Sequence, residues 1–150
     1  MKLNLKEIFK HKISVIYSLL VIFVLSGCGT KTDNVVRDKY PDGSPKIVET
    51  FQTKKGVREL IKQTAYYNDK KLQAEGGIKN NKMNGKWTYY FPNGKKWSEG
   101  YFKEGVEEGI RTTWFDNGNK LYEGEYKDGK RIGKWSFWDE TGQLVKVQNY

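Results

Sequence analysis

The chain has 150 residues with 27 basic and 18 acidic side chains, one histidine, one cysteine and 22 aromatic residues among its 37% apolar content. That length allows one modest domain. A single cysteine, Cys28, cannot form an intrachain disulfide, and with His11 the only histidine no Ser-His-Asp, Cys-His or histidine-metal site can be assembled downstream, so the chain is expected not to be an enzyme and to need no metal or cofactor.

The chain opens on Lys2, Lys6, Lys10 and Lys12, followed by an apolar run over 13–25 that is short for a membrane-spanning helix and basic on one side only. This is the layout of an export signal. Leu25-Ser26-Gly27-Cys28 comes directly after it and resembles the lipobox of bacterial lipoproteins. What that resemblance implies is cleavage before Cys28, a thioether-linked diacylglycerol with a further acyl chain such as palmitate, and a chain held at a bacterial envelope membrane through its lipid, since two or three acyl chains anchor stably. Removing the four lysines and Glu7 of the leader leaves 23 basic and 17 acidic residues, a formal charge of +6. Such an excess suits anionic partners, but export counts against nucleic acid. The expected divisions are a signal peptide over 1–27, a lipidated cysteine with a flexible tether over 28–39, and a repeat domain over 40–150.

Residues 29–39 are polar with only Val35 and Val36 to bury, hence the tether. Tyr40-Pro41-Asp42-Gly43 is a turn signal. Short strands rich in β-branched and aromatic residues are expected over 46–51, 58–67, 72–79, 86–91, 96–103, 110–115, 120–127, 134–138 and 144–148. Between them Asn93-Gly94 and Asn117-Gly118 read as tight hairpin turns, while Gly105 to Gly109 and Gly129 to Gly133 bracket longer loops. Every connection is short, which dictates sequential antiparallel pairing.

The organising pattern is a repeat of 24 residues. Phe91-Pro92-Asn93-Gly94 recurs as Phe115-Asp116-Asn117-Gly118, Glu99-Gly100 as Glu123-Gly124, Gly105 as Gly129, Gly109 as Gly133 and Trp114 as Trp138. The fold class expected is all-β, an elongated single-layer antiparallel β-meander with one hairpin per repeat.

Tyr122-Glu123-Gly124-Glu125-Tyr126-Lys127-Asp128-Gly129, with Gly133 and Trp135 beyond it, resembles the MORN repeat: aromatic, any residue, Gly, any residue, aromatic, then Asn/Asp-Gly and a second Gly. Residues 98–111 match with Ser98 in place of the first aromatic and Arg111 in place of the later Trp; 74–87 keeps Glu75-Gly76, Gly85 and Trp87. The extra Asn-Gly turns make the whole similar to bacterial MORN-variant repeat proteins, some of which bear an antitoxin label. The resemblance implies a binding or scaffolding sheet without catalytic residues.

Tyr66, Tyr90, Trp114 and Trp138 share one repeat position and are expected to form a ladder on one face, with Trp87, Tyr89, Phe91, Trp135 and Phe137 on the other. A single layer has no second layer to bury such rings, so their first role is to cover their neighbours. Trp87, Trp97, Trp114, Trp135 and Trp138 are the candidate contacts for an unidentified protein partner. A neutralised toxin, or a wall glycan or anionic lipid, are the alternative ligands. Glu75, Glu99 and Glu123 share another position and are expected to pair with Lys and Arg across strands, because a repeated surface site cannot give two carboxylates the unlike environments of a glycosidase. Asp116-Asn117-Gly118-Asn119 lacks the spaced acids of a calcium loop and reads as a turn. The terminal strands offer edges for oligomerisation.

Overall fold

The computed structural model describes residues 29–150; the signal, the lipobox Leu25, Ser26 and Gly27, and Cys28 lie outside the described residues. Eleven strands follow one another: β1 (Lys31–Lys39), β2 (Pro45–Lys54), β3 (Val57–Tyr66), β4 (Leu72–Lys79), β5 (Lys82–Tyr90), β6 (Lys96–Lys103), β7 (Val106–Glu107), β8 (Gly109–Trp114), β9 (Lys120–Lys127), β10 (Lys130–Trp138) and β11 (Leu144–Asn149). They form one antiparallel sheet in the order β1-β2-β3-β4-β5-β6-β8-β9-β10-β11, with β7 on β6. The single-layer meander expected from the repeat is what forms, and three strands, 72–79, 96–103 and 120–127, have the expected bounds.

The first departure is β1. Residues expected to be a flexible tether pair with β2 from Lys31↔Thr53 to Lys39↔Pro45. Apolar alternation could not reveal this strand, because at the margin of a one-layer sheet nothing needs burying. Val35 and Val36 are exposed. Polar cross-strand partners act instead: Asp33 takes Arg58 Nη2 at 2.6 Å, Asn34 accepts from Thr50 Oγ1 at 2.8 Å, and Asp38 meets Lys46 at 3.1 Å.

The second departure concerns the turns. The tight two-residue turns lie at the opposite end of the hairpins from Asn93-Gly94, at Lys55-Gly56, Asn80-Asn81, Glu104-Gly105 and Asp128-Gly129, where both central residues have positive φ. This is the turn type whose twist matches the strands. The expected long loops are therefore absent, and Gly109 and Gly133 take their positive φ within strands. At the other end Phe91 N–H donates to Lys95 O (2.8 Å) and Gly94 N–H to Phe91 O (2.8 Å), while Asn93 Oδ1 accepts from Lys95 N–H (2.9 Å). Of Asn93 and Gly94 only Gly94 has positive φ. Pro92, with φ fixed at about −65°, takes the second position of this wider turn. The 116–119 stretch forms the same wide turn: Asn119 N–H donates to Asn117 Oδ1 at 2.9 Å, and the Asn117 and Asn119 amides donate to Glu140 O in the next turn, each at 2.7 Å.

A core in the usual sense is missing. Among the described residues only Ala74, Trp87 and Trp135 are buried apolar side chains. Each repeat instead covers its neighbour within the sheet.

Candidate functional site

The register sorts the repeat positions onto two faces. On one, Gly76↔Trp87↔Gly100 and Arg111↔Gly124 form a row, beside Ala74↔Tyr89↔Ser98↔Thr113↔Tyr122↔Phe137. On the other, Thr64↔Glu75↔Thr88↔Glu99↔Thr112↔Glu123↔Ser136 alternates hydroxyl and carboxylate.

On the first face the two tryptophans lie flat over glycines. A Cβ at Gly76 would come within 2.2 Å of the Trp87 ring and one at Gly124 within 2.1 Å of the Trp135 ring. No side chain fits beneath either indole. Trp87 Nε1–H donates to Gly77 O at 2.9 Å, and Trp135 Nε1–H to Glu125 O at 3.3 Å. Tyr126 and Tyr150 meet Trp135 edge-on at 5.1 and 5.8 Å between centroids, Tyr122 and Phe137 flank it, and the Arg131 guanidinium sits 4.4 Å from its ring. Trp135 is 0% exposed and Trp87 6%. These two candidate contacts are thus consumed by the sheet itself. Trp97 differs: with Tyr89 and Phe91 each 6.2 Å away it belongs to the same face, yet remains 48% exposed.

On the second face Tyr66, Tyr90, Trp114 and Trp138 do share one row, but no ring among them stacks on another. Their cross-strand partners intervene: Leu72, Lys96, Lys120 and Leu144. Lys96 Nζ lies 5.9 Å from the Trp114 ring centre and Lys120 Nζ 5.3 Å from that of Trp138. The expected ring ladder is here an alternation of rings with cations or leucines. The same lysines neutralise the acids. Lys62 meets Glu75 at 2.6 Å, Lys86 and Lys96 meet Glu99 at 2.6 and 2.8 Å, and Lys120 meets Glu123 at 2.7 Å. All four partners are lysines, two of them on the acid's own strand. Burial opposes ionisation of Glu99, but hydrogen bonds from Lys86 and Lys96 outweigh it and hold the carboxyl below its ordinary range. The Lys62 hydrogen bond does the same for Glu75 and the Lys120 hydrogen bond for Glu123.

The middle unit breaks the pattern of the first face. Arg111 occupies the position of Trp87 and Trp135, lying over Gly100 with its Nε 3.1 Å from where a Cβ would stand. Its Nη2 pairs with Glu107 at 2.8 Å, and its Nε is buried without a partner. Beside it is a recess of about 140 Å³ lined by Tyr89, Trp97, Ser98, Arg111, Thr113 and Tyr122. Sequence reasoning did not single out this recess. Its visible trace was the Trp-to-Arg change at position 111 of a 24-residue period.

The MORN repeat variant family matches residues 83–104, 107–128 and 131–150, the three hairpins that follow the tight turns at Asn80-Asn81, Glu104-Gly105 and Asp128-Gly129. These segments are MORN repeat variants. The MORN-variant units stand one period apart and coincide with β5–β6, β7–β9 and β10–β11. A sheet of such repeats fits a protein-binding or scaffolding role. None of the curated proteins matches the chain. A solved structure of a DUF3836 family protein from Parabacteroides distasonis aligns over 81% of this chain and 89% of its own at 11% identity, with a TM-score of 0.26, which carries no argument about either fold or function.

Proposed function

We propose that the MORN-variant sheet is a non-catalytic protein-interaction module, held at a bacterial envelope membrane by a lipid on Cys28. The observation that carries the reading is the division of labour among tryptophans. Trp87 and Trp135 are spent on holding the sheet, whereas Trp97 stays half-exposed on the same face, as a binding anchor must. Trp114 and Trp138, partly covered by lysines on the other face, are secondary anchors. The formal charge of +6 left once the leader is removed supplies long-range attraction to an acidic partner.

Affinity capture of the native lipoprotein, followed by binding measurements with alanine variants, tests the reading. Trp97→Ala is expected to weaken binding by about thirtyfold or more, in the range of an interface hot spot, and Lys120→Ala only slightly. Equal losses in folded variants would refute it. Cys28→Ser is expected to abolish incorporation of labelled palmitate and release the chain from the membrane fraction; continued labelling would rule out Cys28 as the lipid site.

A further inference from the structure

Nine rings on the Trp87 face form two clusters, while Phe102 on β6 lies apart from both, 5.9 Å from the Arg111 guanidinium. One comprises Trp87, Tyr89, Phe91 and Trp97, the other Tyr122, Tyr126, Trp135, Phe137 and Tyr150, and among the described residues no ring pair joins them. Between them lie β6 and β8, where the row narrows to Ser98 and Thr113, only 4% and 3% exposed. In the following unit the corresponding positions are Tyr122 and Phe137. Two large residues are thus replaced by two hydroxyl residues, and the indole between them by Arg111.

What remains is a gap with the dimensions of one rung. Tyr89 and Tyr122 stand three strand steps apart, roughly 14 Å at about 4.8 Å per step. The recess between them measures about 140 Å³. The recess opens to solvent, and its volume is close to the roughly 150 Å³ that accepts a benzene ring in a closed cavity. Its floor hydroxyls have partners already, because Thr113 Oγ1–H can donate to Ser98 Oγ at 3.1 Å while Ser98 Oγ–H donates to Thr112 O at 3.4 Å. Its walls are aromatic, and Arg111 contributes a cation, which favours the face of a π system over an aliphatic chain of equal size.

We infer that the recess between Tyr89 and Tyr122 binds an aromatic side chain carried on an acidic segment of the partner protein, which completes the interrupted ladder. The inference rests on the reading of the sheet as a protein-binding module. Phenylalanine or tyrosine fits the space, and flanking carboxylates complement the net positive charge of the chain.

The test is a titration of the 15N-labelled full chain in detergent micelles with a blocked Glu-Phe-Glu tripeptide, following the Trp97 indole N–H and the Arg111 Nε–H. Both are expected to shift saturably, with Glu-Ala-Glu binding at least about tenfold more weakly. Thr113→Phe, which copies Phe137, is expected to fill the recess and abolish the response. Should that variant fail to fold, Ser98→Tyr, copying Tyr122, serves the same purpose. Arg111→Met is expected to weaken binding about threefold or more. Equal response to Glu-Ala-Glu, no saturation up to about 10 mM peptide, retained binding in a folded Thr113→Phe or Ser98→Tyr variant, or unchanged affinity in Arg111→Met would each overturn the inference. If Trp97→Ala abolishes partner capture while the tripeptide never binds, only the recess assignment falls. If the tripeptide binds but Trp97→Ala leaves capture intact, the recess stands and the protein-binding reading falls.

Discussion

Substituting Gly124 and Gly100 by alanine separates packing from conformation, because the two glycines hold the same repeat position and neither has positive φ. At Gly124 the new Cβ would lie 2.1 Å from Trp135 Cδ2 and 2.3 Å from Cε2. Carbon atoms rest at about 3.5 to 4.0 Å, so the indole must rise by roughly 1.5 Å from its bed. It cannot slide, since Tyr122, Tyr126, Phe137 and Tyr150 surround it. Full exposure of a tryptophan, burying about 150 to 250 Å², would cost about 4 to 6 kcal/mol at 25 cal/mol per Å². Partial lifting, less the gain of about 0.5 kcal/mol from stiffening the unfolded chain, leaves a destabilisation of about 3 kcal/mol. A domain of this size should then melt about 10 °C lower. At Gly100 the nearest atom is Arg111 Nε at 3.1 Å, on a side chain that can rotate away, so the expected cost is within about 1 kcal/mol. Chemical denaturation followed by tryptophan fluorescence measures both. Equal destabilisation of the two variants, or a Gly124→Ala domain as stable as the parent, would refute the account of glycine as a bed for the indole.

Other perturbations address the remaining contacts. Glu99→Gln should cost about 1 kcal/mol at pH 7, the upper end for a partly exposed pair, and because the folded carboxyl titrates below its ordinary value of about 4.3, the difference from wild type should vanish as the pH falls through that range in acid-unfolding curves. Gly129→Ala, at φ +75° in a two-residue turn, should destabilise by about 1 kcal/mol in thermal melts, whereas Gly129→Asn should be milder. Arg58→Ala removes both the Asp33 pair and a guanidinium 3.6 Å above the Phe51 ring, and should accelerate hydrogen exchange in β1 and β2 while leaving β9 and β10 unchanged.

Much of the architecture could be read from the period alone, since a fixed spacing of turn residues and alternating strands admits few arrangements. Three strand bounds came out as expected for that reason. The tight turns were misplaced because Asn-Gly is the familiar signal, whereas Asn93-Gly94 and Asn117-Gly118 close wider turns and Glu104 and Asp128 accept left-handed dihedrals beside glycine at the other end. β1 escaped notice because its partners are polar. The Glu-Gly pairs were visible as pattern, but that their glycines exist to admit an indole required the register Gly76↔Trp87. The same holds for the second face, where composition gave the aromatic row and only cross-strand pairing placed Lys96 and Lys120 between its rings. Of the recess only the Trp-to-Arg change at 111 was visible in the sequence, because its walls depend on which residues face each other across four strands.

Apart from the two-residue β7, which pairs with β6 alone, the strand order makes sequence neighbours the sheet neighbours along its whole described length. Length is consequently an adjustable quantity. A duplication of 24 residues would insert one rung and leave every other pairing intact, and an excision of 97–120 would join β5 and its turn directly to β9. That shortened chain would bring Ala74-Tyr89 and Tyr122-Phe137 into one uninterrupted row, since the hydroxyl-lined strands between them are those removed. The middle unit is therefore the one part of the array whose loss would alter the character of the surface without altering its construction.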